Sequence, residues 1–327
     1  MKKAISLLLV LMMALSLCAC GKTDKNNTGS NTEADSQKVA TKTVLCLTKI
    51  IYSNDNGDAV SNVSYTDNEV HITLENPVSG YDCIYAPDGK VLSEVYYNDE
   101  GVNSYTTTNT YNRDGQIVDH VIWDAIEDCL SSSASYFYND EKQLIKQENK
   151  NRAHQITYYE YNYDDNGVFA EKYFRNGDGA LREHYKFFTN DKGQLQKCIG
   201  YKDDFDGKGL REWGVYTYSY DSEGRLISKI WDKSIPGPAR VSDYFEYGPN
   251  GEIAKSDYNG IQISYTYNED GYLTSVTYDS GGTRTFVYEE IELTEAQAES
   301  ALQWSKEGLI WEHVNIPENL LKDTQIR

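Results

Sequence analysis

His71, His120, His154, His184 and His313 are the side chains best suited to proton transfer near neutral pH. None adjoins a nucleophile motif or stands at metal-ligand spacing, so each reads as a surface or sheet histidine. The sequence has no Gly-x-Ser-x-Gly elbow, no phosphate loop and no His-Glu-x-x-His. Asn162-x-Asp164-x-Asn166-Gly167 fits the first half of a calcium loop, but position twelve is Tyr173 where glutamate is required. Asp204-x-Asp206-Gly207 fails likewise, with Lys202 first and Trp213 last. With 51 acidic residues some carboxylate pair always lies at a glycosidase distance, which reflects abundance rather than context. The expectation is a protein without catalytic residues, metal or cofactor. Trp123, Trp213 and Trp231 offer faces for stacking on a sugar or holding a protein ligand; cross-strand packing is the competing role, and the preferred one.

Cys20 has more specific chemistry. Met1-Lys2-Lys3 gives a positive start, and Ala4 to Leu17 is a nearly unbroken apolar run of signal-peptide length, too short to span a bilayer comfortably. Leu17-Cys18-Ala19-Cys20 then resembles a lipobox, with a leucine three residues before a cysteine. Cleavage before Cys20 and acylation of its sulfur would tether the mature chain by lipid to the extracytoplasmic face of the cell membrane. The rival outcomes are an ordinary signal peptide cut after Ala19, or an uncleaved anchor. Residues 21–43 are almost devoid of apolar side chains and read as a flexible spacer, averaging roughly 25 Å end to end.

Removing Lys2 and Lys3 from 31 basic residues leaves 29 against 51 acidic ones, a net charge near −22. Nucleic acid is excluded as a partner, and the charge speaks to solubility more than to function. Cys46, Cys83, Cys129 and Cys198 are widely and irregularly spaced, which excludes a zinc motif; export permits disulfides, but buried free thiols are the expectation. Tyrosines outnumber phenylalanines 28 to 8, a bias that suits sheets whose faces are only partly buried.

The organising feature is a repeat. Turn positions 89, 115, 142, 167, 193, 224, 251 and 271 are separated by 26, 27, 25, 26, 31, 27 and 20 residues. Each follows an aromatic segment and precedes a second apolar one, which makes a β-hairpin. Gly89, Gly115, Gly167, Gly193, Gly224, Gly251 and Gly271 occupy these turns, and Lys142 stands in the remaining unit. A looser second set of turns, from Asn98 to Gly101 through Ser280 to Gly282, predicts two strands per repeat and hence an antiparallel meander.

Tyr220-Asp221-Ser222-Glu223-Gly224-Arg225-Leu226 resembles the YD or RHS repeat, and the resemblance covers about residues 85 to 290, with asparagine replacing the aspartate at 112, 139 and 268. It implies a curved or spiralling sheet. Large members of that family build shells that enclose a toxin or form an adhesive surface; this chain is too short for such a shell and is similar to small YD-repeat lipoproteins. It also resembles the tyrosine-glycine repeats of antitoxin-like proteins.

After Ile291 the pattern changes. Thr294-Glu295-Ala296-Gln297 has capping-box spacing, and a helix with Ala298, Ala301, Leu302 and Ser305 on its apolar stripe is expected to end near Gly308 and cover a sheet end. The sequence thus divides into a signal peptide (1–19), a lipidated tether (20–43), an all-β hairpin-repeat domain (44–290) and a C-terminal helical cap (291–327). The expected role is non-enzymatic binding or presentation at the envelope, of a cell-surface glycan or a protein. Alternatives are a carbohydrate-binding module, a toxin-immunity lipoprotein, or a glycosidase.

Overall fold

The computed structural model describes residues 40–55, 57–75, 80–203, 209–233, 241–258 and 260–310. The signal segment, Cys20, most of the tether, residues 204–208 and 234–240, where turns are expected, and His313 lie outside the described residues.

The hairpin around Gly224 shows how the repeat works. The Asp221 N–H donates to Arg225 O (3.0 Å) and the Gly224 N–H to Asp221 O (3.1 Å), while Asp221 Oδ1 accepts from the N–H groups of Glu223 and Arg225 at 2.9 Å each. Gly224 sits at φ +85°, a conformation that costs an L side chain about 1–2 kcal/mol. Asn112 and Asn268 make the same pair of bonds through Oδ1. These two bonds need only an acceptor oxygen, so asparagine can replace aspartate in the motif; Asn112 Nδ2 then donates to Gln116 Oε1 (3.0 Å), where Asp221 Oδ2 accepts from Arg225 Nε (2.7 Å). Lys142 takes the left-handed conformation without glycine, at φ +64°. Gly224→Val is expected to lower stability by about 1–2 kcal/mol, checked by urea denaturation; an unchanged midpoint would contradict the turn geometry.

The motif's tyrosine and leucine are also coupled. Tyr220 Oη donates to Leu195 O (2.8 Å), Tyr247 Oη to Leu226 O (2.8 Å), and Tyr138 Oη to Ile117 O (2.8 Å). Each tyrosine reaches the carbonyl at the leucine position of the preceding unit, so phenylalanine would not serve. Glutamines tie successive turns together: Gln116 Nε2 donates to Lys142 O, and Gln143 Nε2 to Gly167 O.

Twenty strands result among the described residues. They are β1 (Thr41–Asn54), β2 (Gly57–Tyr65), β3 (Val70–Leu74), β4 (Tyr81–Tyr85), β5 (Val91–Tyr97), β6 (Asn103–Tyr111), β7 (Ile117–Asp124), β8 (Cys129–Tyr138), β9 (Leu144–Asn151) and β10 (Ile156–Tyr163). They continue as β11 (Phe169–Asn176), β12 (Leu181–Thr189), β13 (Leu195–Asp203), β14 (Leu210–Tyr220), β15 (Leu226–Lys233), β16 (Val241–Tyr247), β17 (Ile253–Tyr258), β18 (Ile261–Tyr267), β19 (Leu273–Tyr278) and β20 (Thr283–Thr294). Every strand pairs antiparallel with its neighbours in sequence, and β1 pairs with β20, Val44 opposite Ile291 and Ile50 opposite Phe286.

The sheet therefore closes into a barrel, which corrects the expected curved or spiralling sheet. Two features outside the motif bring this about. Residues Thr41–Asn54 form one long strand, which supplies the closing ladder. In eight hairpins, moreover, the register slips just after the turn: Ser219 faces Ser228 but Tyr220 faces Leu226, leaving Ile227 extra. Such a bulge bends and twists its strand, and repeated at the same end of each hairpin it curls the sheet.

One core joins the chain's ends. Val44, Cys46 and Leu47 of β1 cluster with Leu195 and Cys198 of β13, Leu226 of β15, Phe286 of β20 and the terminal helix. Hairpins distant in sequence therefore pack on one another as well as on their neighbours. Helix α1 (Glu295–Gln303) starts with both halves of the capping box, Thr294 Oγ1 accepting from the Gln297 N–H and Gln297 Oε1 from the Thr294 N–H. A π-helical turn, Trp304–Gly308, follows directly, and helical backbone continues to Ile310. Trp304 is fully buried with its ring 4.5 Å from that of Tyr85. Ser305 Oγ accepts from the Leu47 N–H (3.3 Å) beside a β1 bulge, and Ser300 Oγ donates to Asp67 O (2.7 Å). The helix thus fills the barrel at the repeat-turn end. Gly308 does not end it. A Cβ at Gly308 would lie 2.2 Å from the Trp304 ring, so glycine is there for packing.

The outer wall is charged. Arg175 Nε donates to Glu160 Oε2 (2.7 Å), and Lys255 pairs with Glu246 (3.1 Å) and Lys146 with Glu148 (3.2 Å), all on the face opposite the core. Lipid-facing barrels carry an apolar band on that face, and these ion pairs interrupt one here.

Candidate functional site

The inner wall is not uniform. Among the described residues the core cluster takes nothing from β6–β11, and a cavity of about 280 Å3 opens in that region. Cross-strand pairing assembles it. His120 of β7 stands opposite Ala134 of β8, Ala134 opposite Asn149 of β9, and Asn149 opposite Thr157 of β10. Tyr136 and Gln147 form the next pair towards the repeat turns, and Ser132 and Asn151 the next in the other direction. Direct partners share a face, and Ala134 is buried, which places this row on the core side. Gln155 completes the rim, its Oε1 accepting from Asn151 Nδ2 (2.9 Å).

The lining is polar and oriented. Tyr161 Oη donates to Gln147 Oε1 (3.2 Å), and Gln147 Nε2 donates to Asn149 Oδ1 (2.7 Å). His120 Nδ1 lies 2.7 Å from Asn109 Oδ1. Burial holds the His120 imidazole below its usual pKa, against the opposing pull of Glu94, so the ring is neutral at neutral pH. An amide neither accepts a proton at this pH nor activates a nucleophile. The arrangement can bind, orient and exchange hydrogen bonds.

Of the residues singled out from sequence, only His120 lies here. Trp231 is buried, 4.5 Å from Trp213 and stacked at 5.6 Å on Tyr216, so it packs across strands. Trp213 also carries Lys202 over its ring. Trp123 is 40% exposed on β7. His184 stacks on Tyr173 with ring centroids 4.4 Å apart, His71 sits 3.0 Å from Glu69, and His154 holds a turn at φ +59°. Asp164 Oδ1 is taken by the backbone N–H groups of Asn166 and Val168, and Tyr173 belongs to β11, far from any twelfth-ligand role. The four cysteines are free thiols; burial pushes Cys46 up to about 11 and Cys198 up to about 12, both inert at neutral pH. Asp124, Glu127 and Cys129 do converge, but the Arg152 guanidinium pairs with both carboxylates.

Sequence reasoning missed Tyr136, Gln147, Asn149 and Thr157. An inward amide in a strand has the same pattern signature as an outward one, and only the pairing register separates them.

No family model and no curated protein matches the chain. Among solved structures, a chain in the crystal structure of TcdB2-TccC3-Cdc42 is similar at 10% identity and TM-score 0.35, over 72% of this chain and 14% of that one. A porin-like protein from Bacteroides uniformis ATCC 8492 is similar at 12% identity and TM-score 0.36, over 74% of this chain and 98% of its own. The present chain thus spans about one seventh of the first of these. Likeness at this level fixes neither family nor function.

Proposed function

We propose that the protein is a lipid-anchored, extracytoplasmic lipoprotein of YD/RHS-repeat type, whose barrel binds or presents a ligand at the cell envelope without catalysing a reaction. The observation that carries this reading is the asymmetry of the barrel: helix α1 and the apolar core fill one part of the interior, while the inner wall of β7–β10 is hollow and lined with hydrogen-bonding groups. The charged outer wall supports a body that stands in water above the bilayer, and the part of residues 21–43 that precedes β1 supplies the spacer, Thr41–Thr43 belonging to the barrel. Lipid at Cys20 would then be the only membrane contact.

Cys20→Ala is expected to move the protein from the detergent phase to the aqueous phase in a two-phase separation of expressing cells, because that thiol is the acyl acceptor. A variant still found in the detergent phase would contradict the anchor.

A further inference from the structure

We propose that the hollow in the inner wall of β7–β10 is a binding site for a neutral saccharide, recognised by Gln147, Asn149, Tyr136, Thr157 and His120. This deepens the binding role just proposed and rests on it.

The first argument is the chemistry of the lining. A sugar hydroxyl both donates and accepts, and its best partners are groups that do the same: amides, hydroxyls and a neutral imidazole. The cavity is built from these. The amides are also oriented in advance. With Tyr161 donating to Gln147 Oε1 and Gln147 Nε2 donating to Asn149 Oδ1, the Asn149 Nδ2 is left as a directed donor. Fixed polar groups cost less to order on binding than mobile ones.

The second argument is charge. The protein carries 51 acidic residues, yet no carboxylate lines this cavity. A cationic ligand would want one. Lys150 is the sole charged residue on the wall, and it faces Ser133 in the ladder, one step out of phase with Asn149 and so on the opposite face. An anionic ligand would want an inward Arg or Lys; Lys150, the one cation that lines the cavity, leaves its strand on the opposite face. His120 is neutral at neutral pH by burial.

The third argument is size and access. About 280 Å3 lies near the lower end of the roughly 300–1,000 Å3 typical of small-ligand sites, which suits one sugar ring or two. Asn151 and Gln155 at the β9–β10 turn put the opening at the end of the barrel away from the repeat turns and α1.

Isothermal titration of the mature chain with glucose, galactose, N-acetylglucosamine, maltose and lactose, beside glucuronate and glucose 6-phosphate, tests the assignment. Saturable binding of at least one neutral sugar is expected, weakened at least tenfold by Asn149→Leu and by Tyr136→Phe. Tyr136→Phe keeps the ring and the fold while removing the hydroxyl, and melting curves of both variants confirm folding. Lys255→Ala, on the outer wall, should bind as the parent does. Absence of binding to every neutral sugar, preference for the two anions, or neutral-sugar binding unchanged in both variants would each overturn the site. The Cys20→Ala partition experiment is independent, so a failed sugar titration with intact anchoring removes this site and leaves the envelope role standing.

Discussion

Trp304→Ala is expected to lower the unfolding free energy by about 3–5 kcal/mol, the usual cost of emptying a buried tryptophan site. Trp304 is fully buried and packs on Tyr85 of β4, while its helix also holds the Leu47 N–H and the Asp67 carbonyl. The site cannot collapse readily, because closed strands surround it. A typical domain has only about 5–15 kcal/mol in total, so the variant should show a far lower urea midpoint with the slope unchanged. The neighbouring Lys306→Ala, which removes a charge placed 5.6 Å from the Tyr272 ring, should change stability by less than about 1 kcal/mol. Equal effects of the two substitutions would contradict the view that the helix fills the barrel.

The second large effect concerns the seam. Ile51 faces Val60 of β2 on one side and Thr285 of β20 on the other, so Ile51→Pro acts inside a strand that is paired on both edges. Proline cannot donate to the ladder, and an orphaned buried backbone group costs about 1–3 kcal/mol. Ring clash adds to that. Opening the seam would also expose two long strand edges, ready templates for pairing with other chains. Light scattering should therefore rise in the variant at temperatures where the parent is monodisperse. A soluble variant with parental stability would show that β1 is dispensable.

The sequence made the hairpins legible because their information is local. Tyrosine, aspartate or asparagine, glycine and leucine recur at fixed offsets, and each has a job visible within the hairpin or the one before it. What stayed hidden is non-local or lacks the signal residue. Asp128 and His154 take left-handed turn conformations at φ +50° and +59° with no glycine to mark them, so these two turns carry no sequence signal. Trp304 stands at ordinary helical spacing from Ser300 and Ala301 and shares their buried face, a position that the stripe of Ala298, Ala301, Leu302 and Ser305 leaves out. Closure was hidden because residues 41–54 carry no repeat motif and their partner lies more than two hundred residues away. The polar hollow eluded the sequence for a related reason: an alternating pattern tells two faces apart only when one is apolar, and here Gln147 and Asn149 point inward while Lys146 and Glu148 point outward.

Barrel closure is the claim on which the core, the helix and the hollow all depend. Thr43 and Glu292 are Cα partners across the β1–β20 seam and both are exposed. Paired strands hold such partners about 4.5–5.5 Å apart, within reach of a disulfide. Cysteines introduced together as Thr43→Cys and Glu292→Cys, oxidised in the native protein and mapped by peptide mass spectrometry, should form one bridge between positions 43 and 292. The control pair Thr43→Cys with Glu246→Cys should not join. If positions 43 and 292 remain free thiols, or link to other cysteines at the control rate, the sheet is open and the account of this protein as a closed barrel is wrong.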